Sequence, residues 1–453
     1  MKIPIAILAL ILTLSCTQQS TTQSNTIMTQ GTLHTQAVDW LRTANIYEVN
    51  VRQYTTQGTF AAFQHHITRL KAMGVQVLWL MPIHPIGITN RKEALGSYYS
   101  IKDYKGINPE YGTLQDFKNI ITEAHHHGIK VIIDWVANHT SWDHAWVTQH
   151  PEYYAKDSTG NLYAPYDWTD VVQLNHNSPT QQAAMIDAMQ YWVQETDIDG
   201  FRCDMAHLTP LSFWKQARLQ CDSIKPLLWL AESQDTPYFE AFDILYGWEW
   251  LHKMEDYYKG NTNIAGLDSV ITLYNTQVAH NKYRLYFTSN HDENSWQDTE
   301  YKRLGSSALA FAAISATLPG VPLIYNGQEE PLLRKLNFFN KDNIGFNSYS
   351  LAPLYQALLQ LKATNPAMAN DSTIQYQRLH TSDDSRIMAY LRTKGSNQVL
   401  VIANLSTAPN YTFTINDNRL TGSFANIQNK ATNDFTTLKD FQLEAWGYVV
   451  YSK

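Results

Sequence analysis

Four stretches of the chain end in residues able to do chemistry. Asp134, Asn138 and His139 follow the apolar run 131–133. Arg202, Asp204 and His207 follow Gly200. Glu232 follows the apolar run 227–231, and Asn290, His291 and Asp292 follow Phe287. A buried carboxylate is costly unless it is paired or hydrogen-bonded, so acids placed repeatedly at the ends of apolar runs point to one site. Arg202 and Asp204 stand two apart, which on a strand puts both side chains on one face. A guanidinium there keeps Asp204 ionised and aimed. Desolvation behind the apolar run, reinforced by Asp292, is expected to raise the pKa of Glu232. An ionised carboxylate beside a protonated carboxyl can break a glycosidic bond in two displacements, with one acid as nucleophile and the other as proton donor.

Those groups need elements to hold them. Short β-branched or aromatic runs read as buried parallel strands at Ile46–Val51, Val75–Leu80, Lys130–Trp135, Gly200–Asp204, Leu227–Glu232, Phe242–Tyr246, Tyr283–Ser289 and Val321–Tyr325. Helical segments lie between them. Thr113 to Asp116 forms a capping box, Ser178-Pro179 gives an N-cap with proline behind it, and Thr59–Met73 carries Phe60, Phe63, Ile67 and Leu70 at helical spacing. Eight strands alternating with helices predict an α/β fold of the (β/α)8 TIM-barrel type, in which catalytic groups sit at the C-terminal ends of strands. The stretch His139–Asn177 is too long for a simple connection and reads as a small subdomain inserted after strand three. Beyond Asn365 the runs 374–379, 386–393, 398–405, 411–415 and 448–451 predict a C-terminal antiparallel β-sandwich domain. The expected division is residues 1–16 signal, 17–38 tether, 39–365 barrel including the insertion at about 139–177, and 366–453 β domain.

Composition narrows the partners. Charged residues make up 17% of the 453 and the net charge is −7, against about 25% charged in an average soluble protein. Such a chain is not disordered and lacks the basic footprint of a nucleic-acid binder. Near the start, Lys2 precedes an apolar run from Ile3 to Leu14. That run is shorter than the roughly 20 residues a bilayer needs but fits the core of a signal peptide. Cys16 follows it, placed like the lipid-modified cysteine of bacterial lipoproteins. Export and lipid anchoring to the bacterial cell envelope, with no other membrane contact, are therefore expected, as is a monomer. Only Cys203 and Cys221 remain beyond it, enough for one disulfide but no framework.

Taken in order, the four strings resemble the signature regions of the α-amylase family of retaining glycoside hydrolases (family 13). Supporting strings run from Asp103 to Thr113 and from Gly320 to Glu329. The resemblance implies an α-glucan or maltooligosaccharide substrate, with Asp204 as nucleophile, Glu232 as general acid and base, and Asp292 holding sugar hydroxyls. It further implies that Arg202 orients Asp204, that His139 and His291 hydrogen-bond the sugar, that Tyr99 stacks on it and that His207 lines the leaving-group side. The expected activity is α-amylase-type hydrolysis of α-1,4 bonds. Exo-acting α-glucosidase, neopullulanase-like and glucan-transferring enzymes are alternatives, as is a non-catalytic glycan-binding lipoprotein, against which the intact acids argue. The chemistry needs no cofactor.

A structural calcium through Asn138 would also follow from the resemblance. Here Gln173 stands where an acid commonly does, and a hard cation prefers carboxylates; Asp167 and Asp170 are the candidate substitutes. Asp134 reads as a brace for Arg202, and the run His125–His127 as solvated side chains at a helix end. Trp79, Trp135, Trp192 and Trp229 read as core. About half of Trp142, Trp146, Trp168 and Trp296 are expected to reach substrate.

Overall fold

The computed structural model describes residues 38–453, except 279–280 and 372. Cys16, the apolar run before it and the tether expected after it lie outside the described residues. Eight parallel strands close into a barrel: β1 (Ile46–Val49), β2 (Val77–Leu80), β3 (Lys130–Trp135), β4 (Gly200–Cys203), β5 (Leu228–Ala231), β6 (Ile244–Tyr246), β7 (Tyr283–Tyr286) and β8 (Val321–Tyr325), each beside its neighbours in sequence, with β8 against β1. Every strand falls on an expected run. Each is shorter than that run or matches it: β1, β4, β5 and β7 stop early at the C-terminal end, where Asp204 and Glu232 leave the sheet for the site, while β2, β5 and β6 begin late.

Register places the acids. Cys203 of β4 lies opposite Ala231 of β5, so the next residues, Asp204 and Glu232, leave adjacent strand ends. Close approach here depends on Gly200, where an added Cβ would stand 2.1 Å from the Leu228 carbonyl oxygen.

The helices follow their local signals. Thr113 and Asp116 form the reciprocal capping box, and Ser178 caps Pro179–Thr196. The expected helix from Thr59 to Met73 is instead two, Phe60–Gln64 and Ile67–Met73, separated at His65 and His66. Phe60, Phe63, Ile67 and Leu70 are all buried; spacing showed the apolar face but not the break in it.

After β3 the chain forms a two-stranded antiparallel hairpin, His139–Ser141 with Val171–Gln173, enclosing the short helix Ala145–Gln149. At the C-terminal end stand β9 (Gln375–Leu379), β10 (Ile387–Lys394), β11 (Asn397–Asn404), β12 (Tyr411–Thr414), β13 (Ser423–Asn426), β14 (Thr432–Asp434), β15 (Asp440–Leu443) and β16 (Tyr448–Ser452). They form a six-stranded sheet in the order β9-β10-β11-β16-β13-β14 and a two-stranded sheet of β12 and β15. Alternation along β10 gives the large sheet two apolar faces. Ile387, Ala389 and Leu391 pack on Phe413 and Phe441, while Met388 and Tyr390 join the core of the barrel helix Ala308–Thr317. Cys203 and Cys221 are both buried free thiols, with no disulfide between them.

Candidate active site

Arg202 organises the rim. It is fully buried, and its guanidinium lies over the rings of Trp79, at 4.8 Å, and Tyr246, at 5.7 Å. Three carboxylates surround it. Nη1 donates to Asp134 Oδ1 at 2.9 Å and to Asp204 Oδ1 at 3.1 Å, while Nη2 lies 3.0 Å from Glu232 Oε2. That last approach is close in charge but not aligned as a hydrogen bond. Asp134 also accepts from Trp79 Nε1 and from the Tyr99 hydroxyl, the bracing expected of it.

One guanidinium cannot balance three buried carboxylates. Burial, reinforced by the charge of Glu232 and opposed by Arg202, pushes Asp204 well above the ordinary carboxylate range. Burial likewise raises Glu232, against the pull of Arg202. The pair therefore retains a proton where isolated acids would have lost theirs. Met205, directly after Asp204, has φ of 39°. A non-glycine residue in the left-handed region is strained by about 1–3 kcal/mol, and here the conformation turns its N–H onto Glu232 Oε2 at 2.7 Å.

The other wall is built on His291. Its Nδ1 meets Glu48 Oε1 at 2.5 Å, and its Nε2 lies 2.7 Å from the Tyr99 hydroxyl and 3.4 Å from Asp292 Oδ2. Burial disfavours the imidazolium, but the charges of Asp292 and Glu48 outweigh it and hold the pKa at about 9. His139 carries no such partner charge, and burial lowers it to about 4. One histidine is thus a cation and the other neutral. A cleft of about 470 Å³ brings together Tyr99, His139, Asp204, Glu232, His291 and Asp292, with Trp168, Trp296, Phe338 and Phe339 around them.

His207 is the exception: it is exposed on the short turn Ala206–Leu208 and does not line this cleft. Of the four loop tryptophans, Trp168 and Trp296 face the cleft, whereas Trp142 and Trp146 pack against the core. Glu48 was not singled out from the sequence, although a fully buried acid inside the run Ile46–Val49 was its signal. Phe338 and Phe339 gave none beyond the length of their loop.

The donor set around Asn138 does not fit calcium. Asn138 Oδ1 accepts from Gln173 Nε2 at 3.1 Å and lies 3.3 Å from His176 Nε2. Gln173 Nε2 also reaches the Asn138 carbonyl at 3.0 Å. Asn138 is thus surrounded by neutral side chains with no carboxylate among them, a poor donor set for a hard cation. Asp170 instead pairs with Lys92 at 3.5 Å, and both Asp167 and Asp170 line the cleft. Among the described residues, no group of three His, Cys, Asp or Glu side chains could hold a metal ion. The histidines at 125 and 127 bind Asp199 and Glu123 instead.

Known proteins resemble this chain in sequence and fold. The family model described as the α-amylase catalytic domain matches residues 22–164. The crystal structure of an α-amylase from Lactobacillus plantarum superposes with a TM-score of 0.81 at 30% identity, covering 91% of this chain and 99% of that one. The chain belongs to the α-amylase family. Alpha-amylase 3 of Dictyoglomus thermophilum is 26% identical, over 83% of this chain and 87% of its own length. A cyclomaltodextrin glucanotransferase from a Bacillus species (strain 1011) is 28% identical over 74% of this chain, which spans 52% of that relative. Membership makes this protein an enzyme of a family that contains both glycosidases and transferases.

Proposed function

We propose that the protein hydrolyses α-1,4-glucosidic bonds in starch-like α-glucans, retaining the anomeric configuration through a covalent intermediate on Asp204. The observation that carries this reading is the pairing of Asp204 and Glu232 on adjacent strand ends around the single buried guanidinium of Arg202. Neighbouring strands lie about 4.8 Å apart, which suits the roughly 5–5.5 Å carboxyl separation of retaining enzymes.

Asp204 takes the aligned hydrogen bond from Arg202, which aims its carboxylate at the anomeric carbon it attacks. Glu232, whose Oε2 already accepts the Met205 N–H, carries the proton on Oε1 and gives it to the departing oxygen. In the second step Glu232 takes a proton from water, and the new hydroxide displaces Asp204. His291 donates as an imidazolium, and Asp292 accepts from sugar hydroxyls. Tyr99 supplies a stacking face and neutral His139 a further hydrogen bond. A glucan hydroxyl in place of the water would give transfer.

Reducing sugar should appear from soluble starch, and NMR of the first product should show the new reducing end as the α anomer. A β anomer would exclude Asp204 as nucleophile, and longer oligosaccharides from maltotriose would mark transfer as the main reaction. The apolar run before Cys16 supports export with lipid on that cysteine. Mass spectrometry of the native protein should find an acylated Cys16, and a mature chain beginning elsewhere without the acyl mass would exclude it.

A further inference from the structure

The loop between β8 and the helix Ala352–Thr364 is far longer than a connection needs, and its middle is pinned where Phe338 and Phe339 line the cleft. Gln53, buried just beyond β1, donates from Nε2 to the carbonyls of Asn337 at 2.7 Å and Asn340 at 2.8 Å. Buried Arg52 reaches the Phe339 carbonyl at 3.3 Å. From the loop after β7, Asn294 accepts the Leu336 N–H at 2.9 Å and donates to the Arg334 carbonyl at 3.2 Å. Lys335 Nζ donates to the carbonyls of Trp296 and Gln297 at 3.2 and 3.1 Å.

Those bonds set Phe338 in a fixed aromatic wall. Its ring centroid lies 4.8 Å from Trp296, 5.1 Å from Phe339 and 5.4 Å edge-on from Tyr98; it runs within 12° of parallel to Tyr99 at 6.3 Å. Phe338 and Phe339 are half-buried and face the cleft.

The position of the wall follows from the chemistry. Asp204 holds the retained sugar and Glu232 protonates the departing one, so the glycone extends from Asp204 past His291 and Asp292 while the leaving chain lies beyond Glu232. Phe338 touches Tyr99, which bonds His291, and Trp296, four residues past Asp292. The wall therefore stands at the glycone end. The rings of Phe338 and Phe339 offer a polar chain no donor or acceptor, and a chain continuing through the segment that carries them would have to break the loop's hydrogen bonds to Arg52 and Gln53 beyond β1 and to the loop after β7.

We propose that the Phe338 wall ends the glycone side of the cleft, so that the enzyme cuts close to the non-reducing end of its glucan and releases glucose or maltose. This rests on the hydrolase reading above. The test compares maltoheptaose with maltoheptaose whose non-reducing glucose carries a 4,6-ethylidene cap, following products by chromatography. Wild type should release glucose or maltose from the free substrate and act on the capped one about tenfold or more slowly. Phe338→Ala, and independently Trp296→Ala, should raise the capped-to-free ratio and lengthen the first products. Equal wild-type rates on both substrates would overturn the end-stop while leaving the hydrolase reading intact. Unchanged ratios in both variants would remove the wall as its cause. No cleavage of either substrate would instead overturn the hydrolase reading.

Discussion

At the residue scale the site is a problem of charge compensation. Asp134, Asp204 and Glu232 share one guanidinium, so losing Arg202 leaves three buried negative charges unpaired, whereas losing one carboxylate charge reduces the imbalance. Asp204→Asn removes the nucleophile but keeps its shape and relieves one negative charge. The variant should fold at least as stably as wild type while kcat falls by about a thousandfold or more; thermal melting and starch hydrolysis measured together check both halves. His291 gives a second prediction. Its folded pKa of about 9 lies above the roughly 6.5 of an unfolded histidine, so its contribution to stability is complete below about pH 6.5 and is lost as pH rises through 9. The melting gap between wild type and His291→Gln should be wide at pH 6 and narrow above pH 9. A gap independent of pH would show that the ion pair with Glu48 is not what His291 contributes.

At the element scale, the sequence revealed where strands end but not what reaches them from elsewhere. Asp134, Arg202, Asp204, Glu232 and Asp292 were readable because each follows its own apolar run. Glu48, contributed by β1 to a histidine beyond β7, and Phe338, held by residues from three other loops, depend on contacts that no local pattern encodes. β13, β14 and β15 escaped notice for a related reason: each has three or four residues, and Phe424 and Phe441 are the buried large apolar side chains among them, too few to show alternation. For the implied calcium, the family pattern specifies the place at Asn138 but not what fills it. Gln173 clasps the hairpin to the end of β3 with neutral hydrogen bonds, so exhaustive chelation should leave melting and activity unchanged. Gln173→Ala, which strands those acceptors, should cost about 1–3 kcal/mol. Gln173→Asp should make melting respond to added calcium, because it restores a carboxylate ligand. A fall in wild-type melting temperature on chelation would show that a cation, not the amide, holds the hairpin.

At the scale of the whole molecule, one face of the β domain joins the barrel's core. The face of the large sheet carrying Met388, Tyr390, Val399, Val401 and Val450 packs in one apolar cluster with the helix Ala308–Thr317. Arg392 sits in that seam, fully buried, and donates to the carbonyls of Thr317 and Leu318, both at 2.9 Å, and of Ala369 at 3.2 Å. It therefore caps the C-terminal end of a barrel helix from another sheet, where a cation also suits the helix dipole. Tyr390 shares a hydroxyl contact with Thr317 at 2.5 Å. Each side also keeps an apolar cluster of its own, but the shared one joins them, so barrel and sheet should unfold together, and calorimetry should record a single transition. Arg392→Met keeps most of the apolar stem but leaves three buried carbonyls without their donor. It should lower stability by about 1–3 kcal/mol and move that one transition down intact, with kcat and KM at low temperature unchanged because the seam lies away from the rim. Two separated transitions, in wild type or in Arg392→Met, would mean that the sheet is an independent unit and that the shared core does not couple the two.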